Sequence, residues 1–441
     1  MTTPTRTSSS ARVPRTPRAS AAGASAGARN AKSAAAPARD ARRTTAETAG
    51  TSPRGGLVSA RISLGRVFAS ESSNYFLLLG ITLFLVVFGL VMVLSASSVD
   101  SISTDSVFNT FWTQGIYAAI GIPIMLLASR IRQTWWKRLA WPALIVGCML
   151  QVLVVFTPLG GGNSQNRNWL SIGNIQFQPS EIIKMAIILW LGMFVALKWD
   201  KLTQWRYMLA PVLIVTGTAI ALVLGGQDLG TVMIIAAIVF GALFIAGVPF
   251  RQLFVVLVIV SAVAYVFVAT NTSRLERVTA FLHPQGVDPE KEGYQTLQGT
   301  WALAAGGVFG VGLGNSRSKW KWLPEADSDF IFGVIGEELG LIGAIVVLGL
   351  FVALAVVLIR IIRASDDPFQ RVVTAAVMVW LVGQALVNIG VVLGLLPPLG
   401  VPLPFISHGG TALLSSLFAI GVVLSFTRTA PQKNPSTATL R

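Results

Sequence analysis

The chain has 441 residues, 53% of them hydrophobic and only 12% charged, with a net charge of +15. A soluble domain carries about 25% charged residues, so this composition excludes an ordinary soluble globular protein and points to an integral membrane protein. The positive excess sits in the N-terminal tail and in short loops between apolar segments, a pattern of membrane topology and lipid contact rather than of nucleic-acid binding.

Residues 1–56 are rich in Ala, Ser, Thr, Pro and Arg and hold ten Arg or Lys against two acids, Asp40 and Glu47. Such a segment buries too little apolar surface to offset its ordering entropy, so it reads as a disordered basic cytoplasmic tail. Its composition also resembles an organelle transit peptide, but the direct run into a polytopic core favours the tail. Ten apolar stretches follow, at 75–97, 111–129, 139–157, 179–197, 207–225, 229–247, 252–270, 331–359, 371–395 and 405–426. Each is near the ~20 residues that span a bilayer. The pattern predicts an all-α polytopic fold: a ten-span transmembrane domain over 57–427, then a short tail at 428–441. Cys148 is the single cysteine, so there is no intrachain disulfide.

Basic residues in short loops set the expected orientation. Arg130, Arg132, Lys137 and Arg138, then Lys198, Lys201 and Arg206, then Arg251, then Arg360, Arg363 and Arg371 fall on one side, while the other short loops contain Arg167 alone. The basic side is the cytoplasmic one, both termini are expected there, and the loops at 158–178 and 271–330 are expected outside.

Polar residues concentrate in those outer loops and beside them. In the first, Asn163, Gln165, Asn166, Arg167, Asn168 and Trp169 form a polar cluster, and Gln178-Pro179-Ser180-Glu181 opens the fourth span. Pro179 suits a first helical turn, and Glu181 and Lys184, three apart, share a helix face and can pair. The turn Gly225-Gly226-Gln227-Asp228 joins the fifth and sixth spans. The second loop carries Arg274, Glu276 and Arg277, an acidic segment around Asp288 to Glu292, and closely spaced glycines at 306, 307, 310, 312 and 314. Those glycines suit a re-entrant segment followed by irregular backbone, or simple close helix packing. The loop ends in Lys319-Trp320-Lys321-Trp322-Leu323-Pro324-Glu325-Ala326-Asp327-Ser328-Asp329.

Asp329 precedes the apolar run Phe330-Ile331-Phe332. An apolar wall disfavours a carboxylate's charged form and raises its pKa toward the range of a general base. Ser328 and Asp329 could equally cap the following helix, and from the residues alone both roles stay open. Glu337 and Glu338, near the top of the eighth span, suit either a functional site or a helix-to-helix hydrogen bond. The prolines at 397, 398, 402 and 404 exclude a regular helix and make a stiff bend ahead of Ser407-His408-Gly409-Gly410. His408 could titrate near neutral pH or serve as a hydrogen-bonded structural residue. No P-loop, HExxH or Cys/His metal cluster is present, which argues against ATP-driven work within this chain.

At these residues the chain resembles the SEDS family of bacterial cell-wall proteins, the FtsW/RodA/SpoVE group. The segments Leu323-Pro324-Glu325, Asp329-Phe330-Ile331-Phe332 and Gly336-Glu337-Glu338-Leu339-Gly340 look like one family block. Arg167 and Trp169, then Gln178 to Glu181 with Lys184, and Asp228-Leu229-Gly230-Thr231 are similar to others. Asn388 through Thr411 looks like the proline-rich signature. Asp327 stands where many members have His, and His408 where they have Tyr, Ser or Ala. The resemblance implies a peptidoglycan glycosyltransferase that polymerises lipid II by inverting transfer at the outer membrane face, with Asp329 as the essential acid. It further implies substrate contacts among Arg167, Trp169, Glu181, Lys184, Asp228, Arg274, Arg277, Lys319, Lys321, Glu325, Ser407, His408, Gly409 and Gly410. Cations, or a divalent metal ion such as Mg or Mn, would meet the charge of the departing pyrophosphate. The implied partners are a class B penicillin-binding transpeptidase and other division proteins. The long basic tail looks more like an actinobacterial-type FtsW than like RodA. A lipid II flippase and a non-enzymatic division scaffold are the rival readings.

Overall fold

All ten apolar stretches fold as helices in the computed structural model, which describes residues 72–98, 109–161, 167–172, 175–283, 293–320 and 322–428. The tail at 1–56, Asn163, Gln165 and Asn166, the acidic segment 288–292, Lys321 and residues 429–441 lie outside the described residues. The helices are α1 (Ser73–Ser97), α2 (Asn109–Ala128), α3 (Gln133–Phe156), α4 (Pro179–Leu197), α5 (Trp205–Gly225), α6 (Leu229–Ile245), α7 (Phe250–Ala269), α8 (Thr272–Leu282) and α9 (Tyr294–Gly306). They continue with α10 (Ile331–Ala364), α11 (Pro368–Met378), α12 (Gln384–Val392) and α13 (Gly410–Phe426). Among the described residues, eight segments are long and apolar enough to cross a bilayer, with α11 and α12 counted as one, and α6 and α13 are shorter apolar helices of 17 residues. The tenth was expected from 405. It starts five residues later because the preceding bend holds Pro402, Pro404 and Phe405, the last at φ 66°.

The centre of the bundle is α4 with α11–α12, whose apolar windows are 72% and 67% buried by protein, against 17% for α7 at the periphery. Glycines allow this packing: a side chain at Gly192 of α4 would meet Val373 and Phe369, and one at Gly241 of α6 would meet Val379. A π-helical turn, Val379–Gly383, separates α11 from α12. Such turns often mark functional sites, and the segment after this one carries Gln384 and Asn388.

Three local features complete the fold. The loop before α4 folds as a small antiparallel sheet of β1 (Gly160–Gly161), β2 (Trp169–Ile172) and β3 (Ile175–Phe177), with Leu170 paired to Gly160 and to Phe177. Second, α10 breaks at Gly340 (φ 67°). There the N–H groups of Leu341 and Ile342 leave the Glu337 and Glu338 carbonyls and donate to Gly307 O and Val308 O, at 2.9 and 3.3 Å. The vacated Glu337 and Glu338 carbonyls accept from Val311 and Gly312, each at 3.0 Å. The glycine-rich stretch after α9 is thus stitched into a broken helix with its backbone polar groups paired, the condition for irregular backbone in a membrane domain. Third, Glu337 and Glu338 brace this stretch through their side chains. Glu337 accepts from Ser316 Oγ at 2.6 Å and Arg317 N at 2.9 Å, and Glu338 from Ser95 Oγ at 2.6 Å and Lys319 Nζ at 3.4 Å.

A Cβ at Gly340 would overlap the backbone of Val308 and Gly310. Gly340→Ala is therefore expected to destabilise the fold by at least about 1–3 kcal/mol, the cost of a non-glycine residue held at positive φ. Thermal unfolding in detergent measures it, and an unchanged midpoint would show that the break is dispensable.

Candidate active site

Helix alternation gathers four elements at one end of the bundle: the β-sheet loop, the Gly226–Asp228 turn, α8 with the Glu325–Asp329 stretch, and the proline-rich bend. Contacts between them are direct. Arg167 N–H donates to Gly226 O at 3.1 Å, Gln178 Nε2 to Asp228 Oδ2 at 3.1 Å, and Arg274 Nη2 to Gln227 O at 2.8 Å. They enclose a cavity of about 800 Å³ lined by, among others, Trp169, Glu181, Lys184, Asp228, Arg274, Arg277, Glu325, Asp329, His408 and Gly409.

Asp329 caps nothing. The N-cap of α10 is Phe330, with no side-chain cap hydrogen bond, so the carboxylate is left to the cavity. Its side chain keeps some contact with solvent through that opening, but the protein packed around it is dense. Burial, followed by the negative charges of Glu325, Asp228 and Asp327, raises its pKa to about 7. Asp228 faces the same cavity from the N-cap of α6, accepting from Thr231 N–H at 2.9 Å and Thr231 Oγ1 at 2.7 Å. Burial raises its pKa too, opposed by those two bonds and by Lys184.

Cations stand opposite the acids. Lys184 and Glu181, nearly fully buried on α4, pair at 2.7 Å as their spacing anticipated. Lys184 also lies over the Trp380 ring at 4.8 Å and reaches Gln384 Oε1 at 3.4 Å, while Ser415 Oγ donates to Glu181 at 2.7 Å. Arg274 stacks on Phe267 at 4.1 Å. Burial, then the charge of Arg277, lowers its pKa, with Asp228 opposing.

Several expected substrate contacts lie outside the cavity lining. Lys319 is buried away from the cavity, donating to Gly314 O at 2.6 Å, Ser95 O at 3.3 Å and Glu338, so it braces the loop. Ser407 is buried, donating to Ser328 O at 2.5 Å and accepting from Leu403 N–H at 2.8 Å. Gly410 is where α13 meets α2: a side chain there would strike the Tyr117 ring. Arg167 is exposed on the β-sheet loop outside the cavity lining, and Lys321 lies outside the described residues. Gln384 was missed. It accepts from Trp380 Nε1 at 3.0 Å and donates to Pro402 O at 2.7 Å, and an uncharged amide in an apolar run was its only sequence signal. The two departures from the family pattern meet each other, His408 Nδ1 lying 3.6 Å from Asp327 Oδ2.

Among the described residues there is no group of three or more His, Cys, Asp or Glu arranged to hold a metal ion. The arrangement does supply a carboxylate whose pKa lies near neutrality, facing a polar cavity with cations on its other walls. That combination can take a proton from a hydroxyl and stabilise an anionic leaving group.

Known proteins match this chain closely. Residues 75–432 match the family of cell cycle proteins that comprises FtsW, RodA and SpoVE. The probable peptidoglycan glycosyltransferase FtsW of Mycobacterium tuberculosis is 35% identical over 378 residues, 86% of this chain and 72% of the relative. The protein of the same name from Geobacter metallireducens is 38% identical over 342 residues, 77% of this chain and 90% of the relative. A chain from a solved structure on the coordination of polymerization and crosslinking by a peptidoglycan synthase complex superposes with a TM-score of 0.64 at 27% identity, covering 79% of this chain and 96% of that one. With ten apolar helical segments among the described residues, a cavity at one end and a matched span of this length, the chain is a member of the FtsW/RodA/SpoVE family of cell cycle proteins.

Proposed function

We propose that this chain is a peptidoglycan glycosyltransferase that polymerises lipid II in cell division, with Asp329 as general base. The observation that carries the reading is Asp329 itself: closely surrounded by protein and beside other acids, its pKa raised to about 7, in a cavity whose other walls carry Lys184, Arg274 and Arg277. Glycosyltransferase FtsW relatives at 35% and 38% identity support it and favour a division role.

In the reaction, Asp329 takes the proton of the acceptor sugar's 4-hydroxyl as that oxygen attacks the donor's anomeric carbon. The new glycosidic C–O bond forms as the bond to pyrophosphate breaks with inversion, and the pyrophosphate departs with the electron pair. Arg274 and Arg277 line the same cavity and would meet that charge. A Mg or Mn ion bound with the diphosphate would neutralise part of its charge. The cavity end is the outer face, the protein sits in the cytoplasmic membrane at the septum, and a class B penicillin-binding transpeptidase works beside it. A polyprenyl-linked substrate explains why the site lies at the end of a membrane bundle.

The test is the purified chain, alone and with its transpeptidase partner, given lipid II in detergent. Glycan polymer from the wild type and none from Asp329→Ala is the expected result. Lipid translocation in liposomes that survives Asp329→Ala, without polymer from either protein, would instead identify a flippase, and neither activity would leave a scaffold.

A further inference from the structure

The carbonyls of Asp327, Ser328 and Asp329, three in succession, each accept a hydrogen bond from a separate donor. His408 N–H reaches Asp327 O at 2.8 Å, Ser407 Oγ reaches Ser328 O at 2.5 Å, and Asn388 Nδ2 reaches Asp329 O at 2.7 Å. Loop carbonyls are ordinarily satisfied by water or by local turns. Here all three are tied to segments about 60 to 80 residues away in sequence.

The donors are themselves fixed. The second proton of Asn388 Nδ2 goes to Val401 O at 2.8 Å, so one buried amide links α12, the proline-rich bend and Asp329. Because both acceptors are carbonyls, only the amide nitrogen can face them. Ser407 Oγ is turned by the Leu403 N–H it accepts, and Gln384 holds Pro402 O from the same helix face as Asn388. Prolines at 397, 398, 402 and 404 stiffen the bend that carries these partners. On its near side the loop closes on itself, Ser328 N–H and Phe330 N–H both donating to Glu325 O, at 3.3 and 3.0 Å. The backbone under Asp329 is thus clamped from both sides, while its carboxylate projects into the cavity.

We propose that Asn388 and Ser407, with the main-chain N–H of His408, are positioning residues that hold Asp329 in register with the acceptor hydroxyl. The inference rests on the reading of Asp329 as general base. Its consequence is kinetic: slackening the clamp misplaces the base and leaves the substrate's other contacts in place.

The experiment measures kcat and KM for lipid II polymerisation by the full chain with its transpeptidase partner, with thermal unfolding followed in parallel. Asn388→Asp keeps the shape but sets an acceptor against two carbonyls, and kcat is expected to fall about 100-fold with KM within about twofold, the scale of an ångström's misplacement. Ser407→Ala removes one bond and is expected to lower kcat about tenfold, while Ser407→Thr, which keeps the hydroxyl, restores most of it. Should Asn388→Asp fail to fold, the Ser407→Ala and Ser407→Thr pair decides alone. A kcat within twofold of wild type in Ser407→Ala, a rise in KM at unchanged kcat, or no rescue by threonine would overturn the proposal. Asp329→Asn run beside them separates the two ideas: polymer from that variant sinks the general base itself, whereas its loss with an intact Ser407→Ala sinks only the clamp.

Discussion

Asn in place of Asp329 is expected to abolish polymerisation and at the same time raise the thermal unfolding temperature. A positioned general base contributes about 10²–10⁴-fold to rate, and Asn has no proton-accepting carboxylate to replace it. The stability gain follows from proton linkage. Asp329 has an ordinary pKa of 3.8 when unfolded and about 7 in the folded protein, so the folded state holds its proton over a window in which the unfolded state has lost it. Folding stability therefore falls as pH rises from about 4 to about 7 and stays low above that. At neutral pH the wild type bears this cost, and the neutral Asn removes it. Activity runs the other way: the base must be ionised, so kcat should rise with pH through about 7 and flatten above. Glu325→Gln takes away the largest of the three negative neighbours that raise the pKa and should move that acid limb to lower pH. Unfolding midpoints at pH 5 and pH 8, together with the pH–rate profile, measure both effects. An Asp329→Asn protein no more stable than wild type at pH 8 would contradict the burial of this carboxylate.

Lys184→Met is expected to destabilise the protein by about 3–5 kcal/mol, because it leaves the Glu181 carboxyl buried in the first turn of α4 without its partner. The pair lies on α4, the most buried of the spanning helices, with side-chain exposures of 3% and 4%. Ser415 alone would then face the Glu181 carboxylate. The double change Glu181→Leu with Lys184→Met should recover much of the loss, since a well-packed apolar pair often matches a buried ion pair in stability. It should not recover activity, because both residues line the cavity. Denaturation of the two variants in detergent settles the sign: a double variant as unstable as the single one would mean that packing, rather than unpaired charge, sets the cost.

The sequence carried much of this site in legible form. The Glu181–Lys184 pair followed from helical spacing, the Asp228 turn from its glycines, and Pro179 from its place in a first turn. Asp329 was legible as an acid against an apolar run, although the residues alone favoured capping over catalysis. Its freedom became visible only when Phe330 proved to be the N-cap of α10. Lys319 and Arg274 are both cations in the same long loop, and nothing local distinguishes them. One folds back onto Glu338 and the end of α1, while the other turns into the cavity.

Composition, hydropathy and punctuation by proline and glycine were enough to determine a membrane-embedded, mostly helical chain with its polar residues gathered in the connections at one end, though not the small sheet before α4. These are properties of single segments, set by apolar length and backbone restrictions a few residues wide. Tertiary structure alone decided which polar groups do chemistry and which hold others in place. The break of α10 at Gly340, the burial of Lys319, the Asp327–His408 contact and the three clamped carbonyls beneath Asp329 all arise from pairings across tens to hundreds of residues. A buried polar group must find a partner wherever the packed helices bring one, and no local pattern records that choice.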